Sequence, residues 1–299
     1  MRVSTSQTYQ RSMALMSNLS TLADKQQGQI ATGKKVVNAS DAPGAYRQLA
    51  TLKRADANDQ AYAKNVATAQ GILDQADDTL SDIETQIQRA QELFTKAGNG
   101  TLTESDRNSI GKELESIRDT LFALANARDS RGQPIFGGAT GDLPFAKAAD
   151  GTITYVSSGE PSGIPIGDQL TMQVGTTGDR AFAADSTTNI FGVISQFTAA
   201  LSSGGDVKAA ANTAASSMTD ALANVTAAHA SIGARGTRLQ MVADQLDYAA
   251  TARDDARSAV EDVDLAATIS NFQQTLTILQ ATQASFTKLT ALSLFDYLR

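Results

Sequence analysis

Both ends of the chain carry apolar residues at alternating steps of four and three, and this spacing limits what either end can become. Toward the C-terminus Leu265, Ile269, Phe272, Leu276, Leu279, Gln283, Phe286 and Thr290 keep the rhythm. Toward the N-terminus Leu15, Leu19, Leu22, Gln26 and Ile30 answer it, with a second step of four before Ile30. This is the a/d seam of a heptad repeat. A lone helix cannot bury such a stripe, so each end requires a partner helix. The candidate assembly residues are Leu15, Leu19, Leu22, Ile30, Leu265, Ile269, Phe272, Leu276, Leu279, Phe286 and Leu292. Their expected partners are one another and further copies of the chain.

The 299 residues are 41% hydrophobic, but Ala supplies much of that share, aromatics make up 5% and Trp is absent. Such a chain packs as thin helical bundles rather than around a bulky core. A net charge of −7 without a Lys/Arg block disfavours nucleic acid and anionic membrane surfaces. No run reaches the roughly 20 apolar residues of a spanning helix. Met1 to Gln7 lack the apolar core and small-residue cleavage site of a secretory signal. Cysteine is absent, which suits a cytosolic protein or an exported one that avoids disulfides.

The first helical pattern runs from about Val3 to Thr32 and stops at Gly33. Asn38 to Gly44 read as a turn, with Ser40 or Asp41 placed to cap the next helix. There Val66, Ala69, Leu73, Ala76, Leu80, Ile83, Ile87, Ala90 and Phe94 keep the rhythm unbroken. Asn99-Gly100 end it, and Thr103 or Ser105 opens a helix carrying Ile110, Leu114, Ile117, Leu121 and Leu124. Four of the five prolines and many glycines then cluster, with β-like pieces at 152–156 and 170–174. Helical patterning resumes near Asn189, breaks at 202–205 and continues to about Val263, with Gly233 and Gly236 as weak points.

The expected fold is mainly α: an elongated helical bundle or coiled coil formed by both chain ends, with a small β-rich insertion at its tip. Residues 1–40 and 265–299 are the two halves of the terminal coiled coil. Residues 41–131 and 189–264 are the two halves of the bundle, and 132–188 are the insertion.

No constellation points to catalysis. Gly28 to Lys34 fit the opening of a phosphate loop, but Lys35 stands where Ser or Thr would hold magnesium, and the flanks are helical. His229 is the single histidine and has no cysteine to join it at zinc. Glu261-Asp262-Val263-Asp264 suit a helix start or bend better than a calcium loop. Phe136, Phe145, Tyr155 and Phe182 could line a sugar-binding face, although the insertion needs such rings for its own core. No enzyme, cofactor or metal is expected.

Gln29 to Gly44 resemble the N-terminal signature of bacterial flagellins and their hook-associated relatives. Arg89 to Leu93, Asn99 to Leu102, Leu124 to Asn126 and Phe136 to Gly138 are similar to that family's N-terminal helical region. Ile232 to Arg235, Ser258 to Asp264 and the last residues are similar to its C-terminal half. Within the family, the close Ser293 to Leu298 and the insertion with Pro144-Phe145 and Gly178 to Phe182 resemble hook-associated members more than filament flagellins. Arg299, following Leu298, departs from that pattern toward a filament-like tail.

The resemblance implies a structural adaptor joining the hook, through the first hook-associated protein, to the flagellin filament. It also implies an extracellular place on the flagellum, reached unfolded through the flagellar secretion channel with no cleaved signal peptide. A cytosolic export chaperone is then a further partner, and the terminal helices would form an inner layer around the channel. The competing expectations are a filament flagellin and, from another class, a carbohydrate-binding surface protein.

Overall fold

The computed structural model describes residues 2–99, 102–182 and 189–297, with side chains at 7 and from 9 to 288 within them. Its elements are α1 (Arg2–Thr32), α2 (Pro43–Ala97), α3 (Glu104–Ala125), β1 (Phe145–Lys147), β2 (Ile153–Tyr155), β3 (Gly163–Gly167), β4 (Leu170–Gln173), α4 (Gly178–Phe182), α5 (Ile190–Ser203), α6 (Val207–Glu261) and α7 (Leu265–Tyr297). They divide into two compact units: residues 1–58 with 248–299, and residues 59–247. The fold is mainly α, with the strands confined to the middle of the chain.

The 59–247 unit holds most of the buried apolar surface. Every member of the α2 stripe from Val66 to Phe94 read from the sequence is buried. On α3 Ile110, Leu114, Ile117 and Leu121 face the same core, and the last turn inserts Ala125 in place of Leu124. Thr103 starts α3 through a capping box: its hydroxyl accepts from the Asp106 N–H while the Asp106 carboxylate accepts from the Thr103 N–H. The Thr103 hydroxyl, which also donates to the Asp106 carboxylate at 2.7 Å, and then the Thr103 N–H hold that carboxyl below its ordinary pKa. α6 adds Ala211, Ala214, Met218, Ala221, Val225, Ala228 and Ile232, a second four–three stripe built largely from Ala. Gly233 and Gly236 lie within this helix without interrupting it.

The strands form two antiparallel hairpins, β1 with β2 and β3 with β4. The sequence pattern located β2 and β4 but missed their partners. β1 carries no β-branched residue, and β3 contains Pro165, which a strand accepts only at an edge or bulge. The β3–β4 register is irregular between Pro165 and Gly167.

Asparagines sew the first hairpin to the helices. The Asn126 side chain donates to the Phe145 carbonyl at 3.1 Å and accepts from its N–H at 3.0 Å. Asn189 caps α5 and donates to the Ile153 carbonyl at 3.2 Å.

The aromatic residues of this region form a core, the reading the sequence favours over a sugar-binding face. Phe145 stacks edge-on against Tyr155, Phe182 and Phe191 with ring centroids 5.3–5.5 Å apart, and Phe136 meets Phe182 at 5.1 Å. Phe136, Phe145 and Phe182 are buried and Tyr155 is half-buried, so the rings offer no flat exposed surface. Gly178 makes the cluster possible, since a Cβ there would lie 2.7 Å from the Phe145 ring.

His229 on α6 lies between two α2 carboxylates, with Nε2 2.8 Å from Asp77 and Nδ1 3.2 Å from Glu84. A neutral imidazole has one N–H, so only the protonated ring can donate to both. Burial lowers its pKa, but the hydrogen bonds and charges of Glu84 and Asp77 outweigh burial and hold it above the ordinary value. The stabilisation is therefore complete below the unfolded pKa of about 6.5 and fades as pH rises through the folded one. His229→Gln is expected to destabilise the protein more at pH 5.5 than at pH 8.5, measured by urea unfolding. An equal loss at both would exclude the charged bridge.

Candidate assembly interface

α1 and α7 pack along one another in the unit formed by 1–58 and 248–299, with Cα atoms of the two helices within 8 Å. They run antiparallel. The C-terminal end of α1 meets the N-terminal end of α7 through the Val263 N–H donating to the Gly33 carbonyl at 3.0 Å. Farther along, Tyr9 and Phe286 are in ring contact at 4.8 Å.

The least exposed residues of α1 along this pair include Ser12, Met16, Leu19, Ala23, Gln26 and Ile30. Those of α7 include Thr268, Phe272, Thr275, Leu279, Thr282 and Phe286. Both sets keep the four–three rhythm, but each is offset by one residue in one of its two rows from the seam read in the sequence. Leu15 and Leu22 give way to Met16 and Ala23, and the row of Ile269, Leu276 and Gln283 gives way to Thr268, Thr275 and Thr282. One residue turns a helix by about 100°, so the displaced side chains leave the seam. Small Ser, Ala and Thr residues let the two backbones approach, and bulky Leu and Ile in those rows would hold them apart.

Of the eleven candidate residues, the structure thus brings Leu19, Ile30, Phe272, Leu279 and Phe286 into the internal seam, half-buried. Leu276 is half-buried beside it. Leu15, Leu22, Leu265 and Ile269 face outward and are 50%, 44%, 47% and 42% exposed. Leu292 lies outside the described side chains. Tyr9, Met13 and Ile278, which the heptad reading passed over, are also exposed. Their spacing falls outside the a/d rows, so only the width of the apolar stripe signals them.

The internal pairing leaves this unit thinly cored. Among its described residues the buried apolar side chains are Ala23, Val36 and Leu49 alone. Thr268 and Thr275 occupy buried seam positions and return their hydroxyls to the Asp264 and Asn271 carbonyls of their own helix. Gln26 Oε1 is buried in the seam with no hydrogen-bond partner among the described residues.

The segment Gln29 to Gly44 holds this unit closed. α1 stops at Thr32 because Gly33 adopts φ +71°, so the phosphate-loop-like run is a helix end. Lys34 then forms an antiparallel bridge with Asp262, and the Lys35 N–H donates to the Glu261 carbonyl at 2.7 Å. The Lys35 ammonium reaches the Ala259 carbonyl at 3.0 Å, and the Lys34 ammonium pairs with buried Glu261. Glu261 ends α6, and Asp264 caps α7 by accepting from the Ala267 N–H at 3.0 Å. The acidic run is thus a bend between two helices. The N–H groups of Asn38 and Val37 and the Lys25 ammonium surround the Asp41 carboxylate; the Asn38 bond, the Lys25 bond and the Val37 bond, in that order, lower its pKa. Gly33→Ala is expected to destabilise the unit by about 1 kcal/mol in thermal unfolding, since an L-residue is strained at that φ. No change would mean the turn relaxes freely.

Among the described residues no helix is long and apolar enough to cross a membrane. Leu15 and Leu22 on α1 and Leu265 and Ile269 on α7 stand exposed among polar neighbours such as Asn18, Asp24, Gln273 and Thr277, and such side chains can bury against another apolar helix.

Comparison with known proteins gives a consistent picture. The family described as the bacterial flagellin N-terminal helical region matches residues 3–140, and the bacterial flagellin C-terminal helical region matches residues 216–298. Flagellar hook-associated protein 3 of Escherichia coli (strain K12) is 33% identical over 319 aligned positions covering 99% of each chain. The fold is similar to a flagellar hook-associated protein structure from Vibrio parahaemolyticus, with a TM-score of 0.70 at 21% identity over 74% of this chain and all of the other. It is also similar to the flagellar junction protein from Legionella pneumophila, with a TM-score of 0.60 at 14% identity over 73% of this chain and 99% of that one.

Proposed function

We propose, from the premise that this chain belongs to the bacterial flagellin family and aligns end to end with its hook-associated branch, that it is the structural adaptor between hook and filament. The observation that carries the reading is the unfilled apolar surface of paired α1 and α7, where Leu15, Leu22, Leu265 and Ile269 stand outward. Burying one such side chain in a neighbouring copy contributes roughly 1.5–3 kcal/mol. A ring of copies multiplies that gain at every contact.

In this reading the outward residues of α1 and α7 form the subunit contacts of an inner layer. The hook-side neighbour is the first hook-associated protein and the filament-side neighbour is flagellin. The chain reaches the flagellum unfolded through the flagellar channel, with a cytosolic chaperone covering its apolar ends. A thinly cored terminal unit suits that route, because its internal pairing is easily undone for transit and binding then supplies the buried area it lacks. The role is architectural and requires no catalytic step. The end-to-end match at 33% identity with a hook-associated protein includes the 132–188 region, which favours this branch over filament flagellin.

The test is to delete the gene and to locate the chain on isolated flagella. The expected outcome is hooks without filaments, flagellin in the medium and a narrow labelled band above the hook. Labelling along the whole filament would instead make the chain a flagellin.

A further inference from the structure

The 59–247 unit carries two charge features of opposite sign that are unmatched among the described residues. Between β4 and α6 lies an open groove of about 490 Å³, lined by Thr171, Gln173, Ser231, Arg235 and Arg238. Arg235 is engaged locally, donating to the carbonyls of Gln173 at 3.3 Å and Gly175 at 2.6 Å. Arg238, three residues along the same helix, is exposed and has no ion pair or hydrogen bond among the described residues.

The second feature is on α2. Asp74, Asp78 and Asp82 follow one another at intervals of four, which sets them in one row about 6 Å apart along the helix. All three are exposed and unpaired among the described residues, whereas the neighbouring Asp77 and Glu84 are turned to His229. Like charges four residues apart weaken a helix, and no cation among the described residues relieves the row.

We infer that the aspartate row of one copy docks in the Arg238 groove of the next. The inference rests on the reading of this chain as an assembling subunit and names one of its lateral contacts. A carboxylate entering the groove meets a guanidinium and the hydroxyls of Ser231 and Thr171, all able to donate. The occupant is a second copy because the chain itself displays the complementary row, while its net charge of −7 repels phosphate polymers. The two patches differ, so the contact is head-to-tail: each copy uses both, and the contact propagates around a ring or helix.

The test uses the full chain in a deletion strain, as R238E, as D74K/D78K/D82K and as both together. Each reversal alone is expected to leave about tenfold fewer filaments per cell, because like charges then face each other across the contact. The combined variant is expected to restore them. Filaments at the unmodified level in either single reversal, or no recovery in the combination, overturn the contact. The natural chain contains no cysteine, so D78C with R238C gives a second readout. Oxidised flagella should yield a ladder of linked copies, and its absence overturns the contact even where a reversal variant misfolds. The unmodified chain in the same strain tests the junction role alone, which keeps the two failures apart.

Discussion

Ile269→Asp is expected to abolish filament growth while shifting the unfolding midpoint of the isolated chain hardly at all. Ile269 is 42% exposed on α7 and stands outside the seam that α1 occupies. A polar replacement there loses little within one copy, within about 0.5 kcal/mol as for ordinary surface changes. In an assembly the same position would be covered by a neighbouring helix, and an unpaired carboxylate buried in an apolar contact costs several kcal/mol. Because the contact repeats in every copy, the loss repeats with it. Filament counts by electron microscopy and thermal unfolding of the purified variant read the two effects separately. Normal filaments would show that α7 does not present this face to its neighbours. Leu279→Asp supplies the contrast: Leu279 lies in the internal seam, so this variant should lower monomer stability as well.

Phe145→Ala is expected to destabilise the 59–247 unit by about 3–5 kcal/mol, the range for deleting a buried aromatic ring. The ring touches Tyr155, Phe182 and Phe191, and its backbone is held on both sides by the Asn126 amide. Its removal opens a cavity between the first hairpin, α4 and α5. The variant should unfold at markedly lower urea with a second, separate effect on assembly only through lost folding. Wild-type stability combined with lost glycan binding would reverse the assignment of these rings to the core.

The sequence disclosed the helices where apolar contrast was high. The α2 stripe from Val66 to Phe94 alternates bulky residues and Ala against Asp, Gln and Glu, and each of its members is buried. The stripe of α6 from Ala211 to Ile232 was hidden because Ala, Ser and Thr surround it on all sides. At the ends the period was legible but the phase was not. Close approach of two antiparallel helices selects small side chains, so Ala23, Thr268 and Thr275 enter the seam ahead of Leu22, Ile269 and Leu276. Hydrophobicity alone ranks those residues in the opposite order. The bonds from Gly33, Lys34 and Lys35 to the α6–α7 bend join positions more than two hundred residues apart, which no local pattern announces.

That long-range closure also sets an order of events. Lys35 meets Ala259 across 224 positions, and an open loop of that length closes slowly and against considerable entropy. Once the intervening 59–247 segment has folded, Gln70 and Gln240 already stand side by side, and most of the loop has been taken up. The terminal helices should consequently be the last part of the molecule to acquire structure. In the proposed role, assembly is thereby timed by topology: a copy that has not finished its middle has no ends to offer.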